Sequence, residues 1–137
     1  MATHLIDKSA WVRLRRPEVL ARHGDALVSG RIAGTGVLML EVLVSARSAA
    51  DFDEVRHNLS LMPRVAVTEA IIERALDVQG LMVRAGTHRA TSPADLVLAA
   101  CAEANGLSVL HYDKDFDLIA EVTGQPTEWI AAQGSLA

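Results

Sequence analysis

The sequence predicts an α/β fold, with a parallel sheet of four or five strands covered by helices on both faces. Two observations carry that reading. Short apolar stretches alternate with helical segments along the chain, the order expected of β-α-β units. The apolar stretches, Ser108–Tyr112 (SVLHY) among them, also lack strict apolar/polar alternation, as strands buried on both faces do. No repeat, low-complexity segment or linker interrupts residues 1–137, a length suited to a single domain with a real core.

Taken in order, Thr3–Ile6 is the first strand and ends at Asp7. Ser9 is a favourable N-cap for a helix over Ala10–Arg15. Pro17 ends that helix and starts another over Pro17–Gly30, with Val19, Leu20, Leu27 and Val28 in helical spacing. Arg31–Gly34 is a short strand. Gly36–Arg47 is a helix apolar nearly all round, with Glu41 its one internal charge. Ala49–Leu61 is a polar helix broken at Pro63, Arg64–Val67 is a compact strand, and Thr68 caps a long helix reaching about Ala85. After the loop Gly86–Thr91, Ser92 and Pro93 open a further helix. The strand Ser108–Tyr112 follows, then a helix opened by an acidic cluster, and Glu128–Ala131 supplies the last strand.

Composition excludes several classes. Half the residues are hydrophobic and mean hydropathy is +0.23, yet no apolar run approaches the roughly 18–20 residues of a membrane span. MATHLIDKSAW carries no basic n-region or cleavage site, so a cytoplasmic protein is expected. The surplus apolar surface points to a permanent partner or self-association. Cys101 is alone, which leaves no disulfide framework and no cysteine metal site; within LVLAACAEA it reads as a small buried hydrophobe. The five histidines show no zinc spacing. A net charge of −4 and 4% aromatics argue against a base-stacking platform and against nucleic-acid binding by bulk charge. Acids concentrated at a metal site change that balance, since two divalent cations would neutralise it.

The acids each have an ordinary reading. Asp7 is a turn residue that starts a helix. Asp95 completes S-P-A-D, a capping box, and an acid suits the positive end of a helix. Asp113, Asp115 and Asp117 form D-K-D-F-D, which imitates the start of a calcium loop, but Leu118 stands where that loop needs Gly and Gly124 where it needs Glu. N-capping accounts for Asp113 and a solvated face for Asp117. Glu41 resists such treatment. Among Leu38, Met39, Leu40, Val42, Leu43 and Val44 an unpaired carboxylate carries a large desolvation penalty, and Arg47 lies beyond the i,i+4 range. Glu41 is therefore paired with a cation, protonated or facing a cleft. If the sheet gathers these acids, their repulsion demands cations, and hard oxygen ligands suit Mg²⁺ or Mn²⁺.

The segments Leu5-Ile6-Asp7-Lys8-Ser9, Glu41 in its apolar helix, Pro93-Ala94-Asp95-Leu96-Val97-Leu98-Ala99-Ala100 and Val109-Leu110-His111-Tyr112-Asp113-Lys114-Asp115-Phe116, in that order, resemble the PIN domain. More narrowly they resemble the VapC-type toxins of bacterial toxin–antitoxin pairs. The likeness extends over essentially the whole chain. It implies a PIN-like α/β/α sandwich with a mostly parallel, roughly five-stranded sheet, and an Mg²⁺- or Mn²⁺-dependent endoribonuclease acting on RNA. By position, Asp7, Glu41, Asp95 and Asp113 match the acidic quartet, Asp115 an additional acid of the same pocket, and Ser9 a polar residue that supports the first acid by hydrogen bonding. Lys8 departs from the pattern, standing where the family commonly has Thr or another small polar residue. It is either a phosphate contact or an exposed lysine at a helix start.

On that reading the chemistry is metal-assisted hydrolysis. Asp7 and Asp95 would bind the principal metal, and Glu41, Asp113 and Asp115 would complete the shell directly or through water, with one or two metals both open. Products would carry 5′-phosphate and 3′-hydroxyl ends. Arg13, Arg15 and Arg16 after Asp7, and Arg84, His88 and Arg89 before Asp95, are candidates for a basic rim on the RNA backbone; ordinary solvated side chains are the competing account. The resemblance also implies a homodimer, and a heterotetramer or larger assembly with a VapB-like antitoxin whose C-terminal segment blocks the site. Two rivals are a receiver-type signalling domain with a strand-end Mg²⁺ pocket and an inactive PIN-like binding module. The former needs a Lys after a late strand, where this chain has Tyr112-Asp113, and the latter has no support while all four acids are present.

Overall fold

The computed structural model describes residues 1–136. Among them the chain forms β1 (His4–Ile6), α1 (Lys8–Trp11), α2 (Pro17–Val28), β2 (Ile32–Ala33), α3 (Gly36–Leu43), α4 (Ala49–Ser60), α5 (Glu69–Ala85), α6 (Pro93–Ala104), β3 (Ser108–His111), α7 (Asp115–Thr123) and β4 (Thr127–Trp129). The four strands are all parallel in the order β2-β1-β3-β4. The register sets His4 opposite both Ile32 and Ser108, and Val109 opposite Thr127.

Successive strand residues point to opposite faces, and both faces are packed. Leu5, Ala33 and Val109 join Ile71, Val78, Met82, Leu98, Phe116 and Ile119 of α5, α6 and α7. Ile6, Ile32 and Leu110 join Ala10, Val19, Leu38 and Leu59 of α1 to α4. That two-sided burial is why the strands read as continuous apolar runs.

The order of strands determines where a site can lie. From β1 the chain passes through α1 and α2 to β2 on one side, and from β3 it passes through α7 to β4 on the other. The connections therefore diverge between β1 and β3, leaving an opening at the carboxyl ends of those strands, the usual ligand position in open α/β sheets.

Four expectations change. The helix expected over Ala10–Arg15 is the single turn Lys8–Trp11, and its N-cap is Asp7, not Ser9. The Asp7 side chain accepts both the Ser9 N–H and the Ser9 hydroxyl, so the helix starts two residues earlier and Ser9 lies inside it. The helix begun at Gly36 stops at Leu43 instead of Arg47, because Ser48 caps α4 and the Arg47 N–H is taken by Asp51 Oδ2 at 2.9 Å. Arg64–Val67 contributes one parallel bridge, Gly34 to Arg64, and no strand. Its neighbour β2 is two residues long, and Pro63 has no N–H to extend the ladder. Helix α3, apolar nearly all round in sequence, buries Leu38 and Met39 but leaves Leu40, and Val44 at its C-cap, 73% and 81% exposed.

The long helix α5 ends on Gly86 at φ +75°, a left-handed cap that a side chain would strain. Cys101 is buried, as read from sequence. Among the described residues no helix is long and apolar enough to cross a membrane.

Candidate metal centre

Five carboxylates line one pocket of about 480 Å³ at the β1/β3 opening: Asp7, Glu41, Asp95, Asp113 and Asp115. Each arrives from a different local cause. Asp7 follows β1 directly. Its backbone N–H donates to Leu110 O at 2.9 Å, continuing the β1–β3 ladder, and its side chain is 5% exposed. Asp7 Oδ2 accepts from the Ser9 N–H at 3.0 Å and from the Ser9 hydroxyl at 2.6 Å. The same hydroxyl accepts the Tyr112 N–H at 2.9 Å. Ser9 thus bridges the end of β3 to Asp7.

Asp95 is the third residue of α6 and closes a reciprocal capping box. Its N–H donates to Ser92 Oγ at 3.1 Å, and its Oδ2 accepts the Ser92 N–H at 3.2 Å. Burial pushes its carboxyl up to about 6, with Asp7 and Asp113 adding to the rise and the Ser92 bonds opposing it. Glu41, on α3, is half-buried without an ion pair among the described residues. Burial raises its pKa first, Asp7 and Asp95 raise it further, and Lys8 opposes them. Of the three alternatives open for Glu41, a cation partner, protonation or a cleft, its place in the pocket lining fits the last.

Asp113 lies just beyond β3, and its Oδ1 accepts the Asp115 N–H at 2.9 Å, starting α7. Its own N–H donates to His111 Nδ1 at 3.2 Å, which places the ring proton on Nε2. The His111 ring is fully buried between Phe116 and Trp129, and burial lowers its pKa. Asp115 opens α7; burial raises its pKa, with Asp113 adding and Lys114 opposing. Asp117 does not line the pocket.

The tightest convergence is Asp95, Asp113 and Asp115, each offering a carboxylate oxygen within 4.8 Å of the others. Asp7 and Glu41 line the same pocket outside that group, and the charge of Asp7 acts on Asp95 more strongly than that of Asp113. Of the cationic residues anticipated on the rim, Lys8 and Arg13 line the pocket; Arg16 and Arg89 do not. Tyr112 escaped the sequence reading. Its only signal was its place immediately before Asp113.

The PIN domain family model matches residues 4–122. Ribonuclease VapC18 of Mycobacterium tuberculosis is 43% identical over 133 residues, covering 96% of this chain and 97% of the relative. Ribonuclease VapC2 of the same species is 46% identical over 128 residues, covering 90% and 89%. Among solved structures, DNA-bound VapBC from Salmonella typhimurium superposes with a TM-score of 0.80 at 18% identity, covering 96% of this chain and 100% of that one. VapBC-5 of M. tuberculosis gives 0.64 at 20% identity, covering 96% and 100%. The chain belongs to the PIN-domain family. Within it, the chain groups with the proteins named VapC ribonucleases, sharing their length and fold.

Proposed function

We propose that this protein is a metal-dependent endoribonuclease, the toxin of a toxin–antitoxin pair, working in the cytoplasm through the acidic pocket. The observation that carries the reading is the convergence of five carboxylates at the β1/β3 opening, with burial holding Asp95 near a pKa of 6. Uncompensated negative charge of this kind is what a divalent cation neutralises. The family relatives carry the name ribonuclease, which supports RNA as substrate.

The donor set is all carboxylate oxygen, which fits Mg²⁺ or Mn²⁺ and their retained waters. Asp95, Asp113 and Asp115 would hold the ion, with Asp7 and Glu41 facing it from the rest of the pocket. A bound divalent ion lowers the pKa of a water and stabilises charge on the scissile phosphate. Asp7 keeps its orientation through Ser9, and Asp113 through its bonds to Asp115 and His111. Lys8 and Arg13 supply positive charge at the mouth for the RNA backbone.

The structural neighbours include VapBC complexes, which supports a VapB-like antitoxin as partner. The antitoxin presents an Arg or Lys to the carboxylates in competition with the metal, and the exposed Leu40 and Val44 give apolar surface to a homodimer or to that partner.

The test is cleavage of RNA by the purified protein. Mn²⁺ or Mg²⁺ is expected to support cleavage giving 5′-phosphate ends, and EDTA to abolish it. Cleavage that persists in EDTA overturns the reading. Ser9→Ala strips Asp7 of its hydroxyl donor and the Tyr112 N–H of its acceptor. Mn²⁺ affinity, read by electron paramagnetic resonance, is expected to fall roughly 10–100-fold, as when an outer-shell partner is lost.

A further inference from the structure

Arg13 borders five carboxylates yet forms no ion pair among the described residues. Its guanidinium is held elsewhere. The carbon of the guanidinium sits 4.4 Å from the centroid of the Tyr112 ring, and Nη1 donates to Ser9 O at 2.7 Å. A guanidinium has five N–H donors; among the described residues one of them makes a hydrogen bond, and the side chain lines the pocket. An ion pair with a site acid would be the default for a mobile arginine. Arg13 is kept from it by a carbonyl and an aromatic face.

Tyr112 is itself held at three points. Its N–H donates to Ser9 Oγ, its ring packs edge-on against Trp129 at 5.6 Å, and its hydroxyl accepts the Leu136 N–H at 2.9 Å. Leu136 in turn packs on the apolar cluster that contains Ile6, Leu110 and Ile130. The segment around Leu136 therefore fixes the tyrosine, and the tyrosine fixes the arginine.

We propose that Arg13 grips a phosphate of the nucleic-acid substrate beside the acidic pocket, and that Tyr112 is the positioning residue that keeps it aimed there. This deepens the ribonuclease reading and rests on it. A fixed guanidinium makes bidentate contacts with phosphate oxygens at little entropic cost. Held apart from the acids, it leaves them to the cation while anchoring the strand next to the scissile bond.

The experiment uses a short mixed-sequence RNA oligonucleotide in fluorescence anisotropy with Ca²⁺ in place of Mn²⁺, and a gel run after each titration verifies that the strand is intact. Arg13→Gln is expected to weaken binding about tenfold at low salt and to lower the slope of log K against log salt by about 0.7, the loss of one phosphate contact on a single strand. Arg13→Lys keeps the charge but not the fork and recovers only part of the affinity. Tyr112→Leu is expected to weaken binding several-fold in the wild-type background and to add little to Arg13→Gln, the non-additivity of groups that act as one. Mn²⁺ affinity stays within about twofold in Tyr112→Leu, because the Tyr112 backbone bond to Ser9 remains. Unchanged binding and salt slope in Arg13→Gln overturn the proposal, as does a wild-type protein that fails to bind the oligonucleotide at low salt. Full additivity of the two substitutions overturns the role of Tyr112. A wild type that binds the oligonucleotide through Arg13 but cleaves no RNA with Mn²⁺ counts against the ribonuclease reading alone.

Discussion

Asp95→Asn is expected to lower metal-dependent RNA cleavage by a hundred- to a thousandfold, on the order seen when one preorganised electrostatic partner is removed from an active site. The substitution is informative because it separates the two tasks of this side chain. Oδ2 closes the capping box with the Ser92 N–H, and an amide oxygen can accept that bond equally well. The charge cannot be replaced. Helix α6 therefore stays capped while the cluster of Asp95, Asp113 and Asp115 loses one of its three anionic ligands. Single-turnover cleavage in Mn²⁺, with circular dichroism to verify the fold, measures the effect. A rate within about threefold of wild type would remove Asp95 from the proposed metal shell.

The same variant is expected to be more stable than wild type when metal is stripped away. Asp95 titrates near 6 in the fold against an ordinary value of 3.8. A raised folded-state pKa contributes stability that is fully present below about pH 4 and is lost as pH rises through about 6. At pH 7.5 without metal the fold thus carries the cost of an ionised, part-buried acid. A fully shielded group shifted this far would account for roughly 3 kcal/mol, and partial exposure brings the expected figure to roughly 1–2 kcal/mol. Glu41 and Asp115 are raised as well, so their contributions run the same way. His111 runs opposite, because its lowered pKa means stability that is lost as pH falls. Comparing wild type with Asp95→Asn at each pH cancels the histidine. In EDTA the variant should melt higher at pH 7.5, and the gap should narrow as pH falls through about 6 and close by about pH 4. Mn²⁺ should raise the wild-type melting temperature at pH 7.5 by mass action and raise the variant's less. A wild type that melts higher than the variant in EDTA at pH 7.5 would show that the carboxylates do not strain the metal-free fold.

These two expectations describe one trade. The pocket destabilises the metal-free chain for the same reason that it suits a divalent cation. The fold tolerates it because Leu5, Ile6, Val109 and Leu110 are fully buried at the adjoining strand ends, and because three of the five acids also perform a local structural task. Asp7 caps α1, Asp95 caps α6 and Asp113 accepts the first amide of α7.

Much of this was legible residue by residue. Ser92-Pro93 announced α6, Thr68 announced α5, and the two-sided apolar runs announced a parallel sheet, because caps and burial patterns are local properties of the chain. Glu41 also announced itself, since an acid in an apolar helix needs a reason. The misreadings were local competitions settled by neighbours. Asp7 took the cap that Ser9 was expected to supply, and Arg64–Val67 found too short a partner in β2 to make a strand. By itself, then, the sequence determined the α/β class, most helix starts and the identity of the acids. Only the tertiary structure decided which acids meet, because β1 and β3 are distant in the chain yet adjacent in the sheet, His4 against Ser108. It alone set Tyr112 beneath Arg13 and Leu136 on Tyr112, contacts between side chains that no spacing in the sequence encodes.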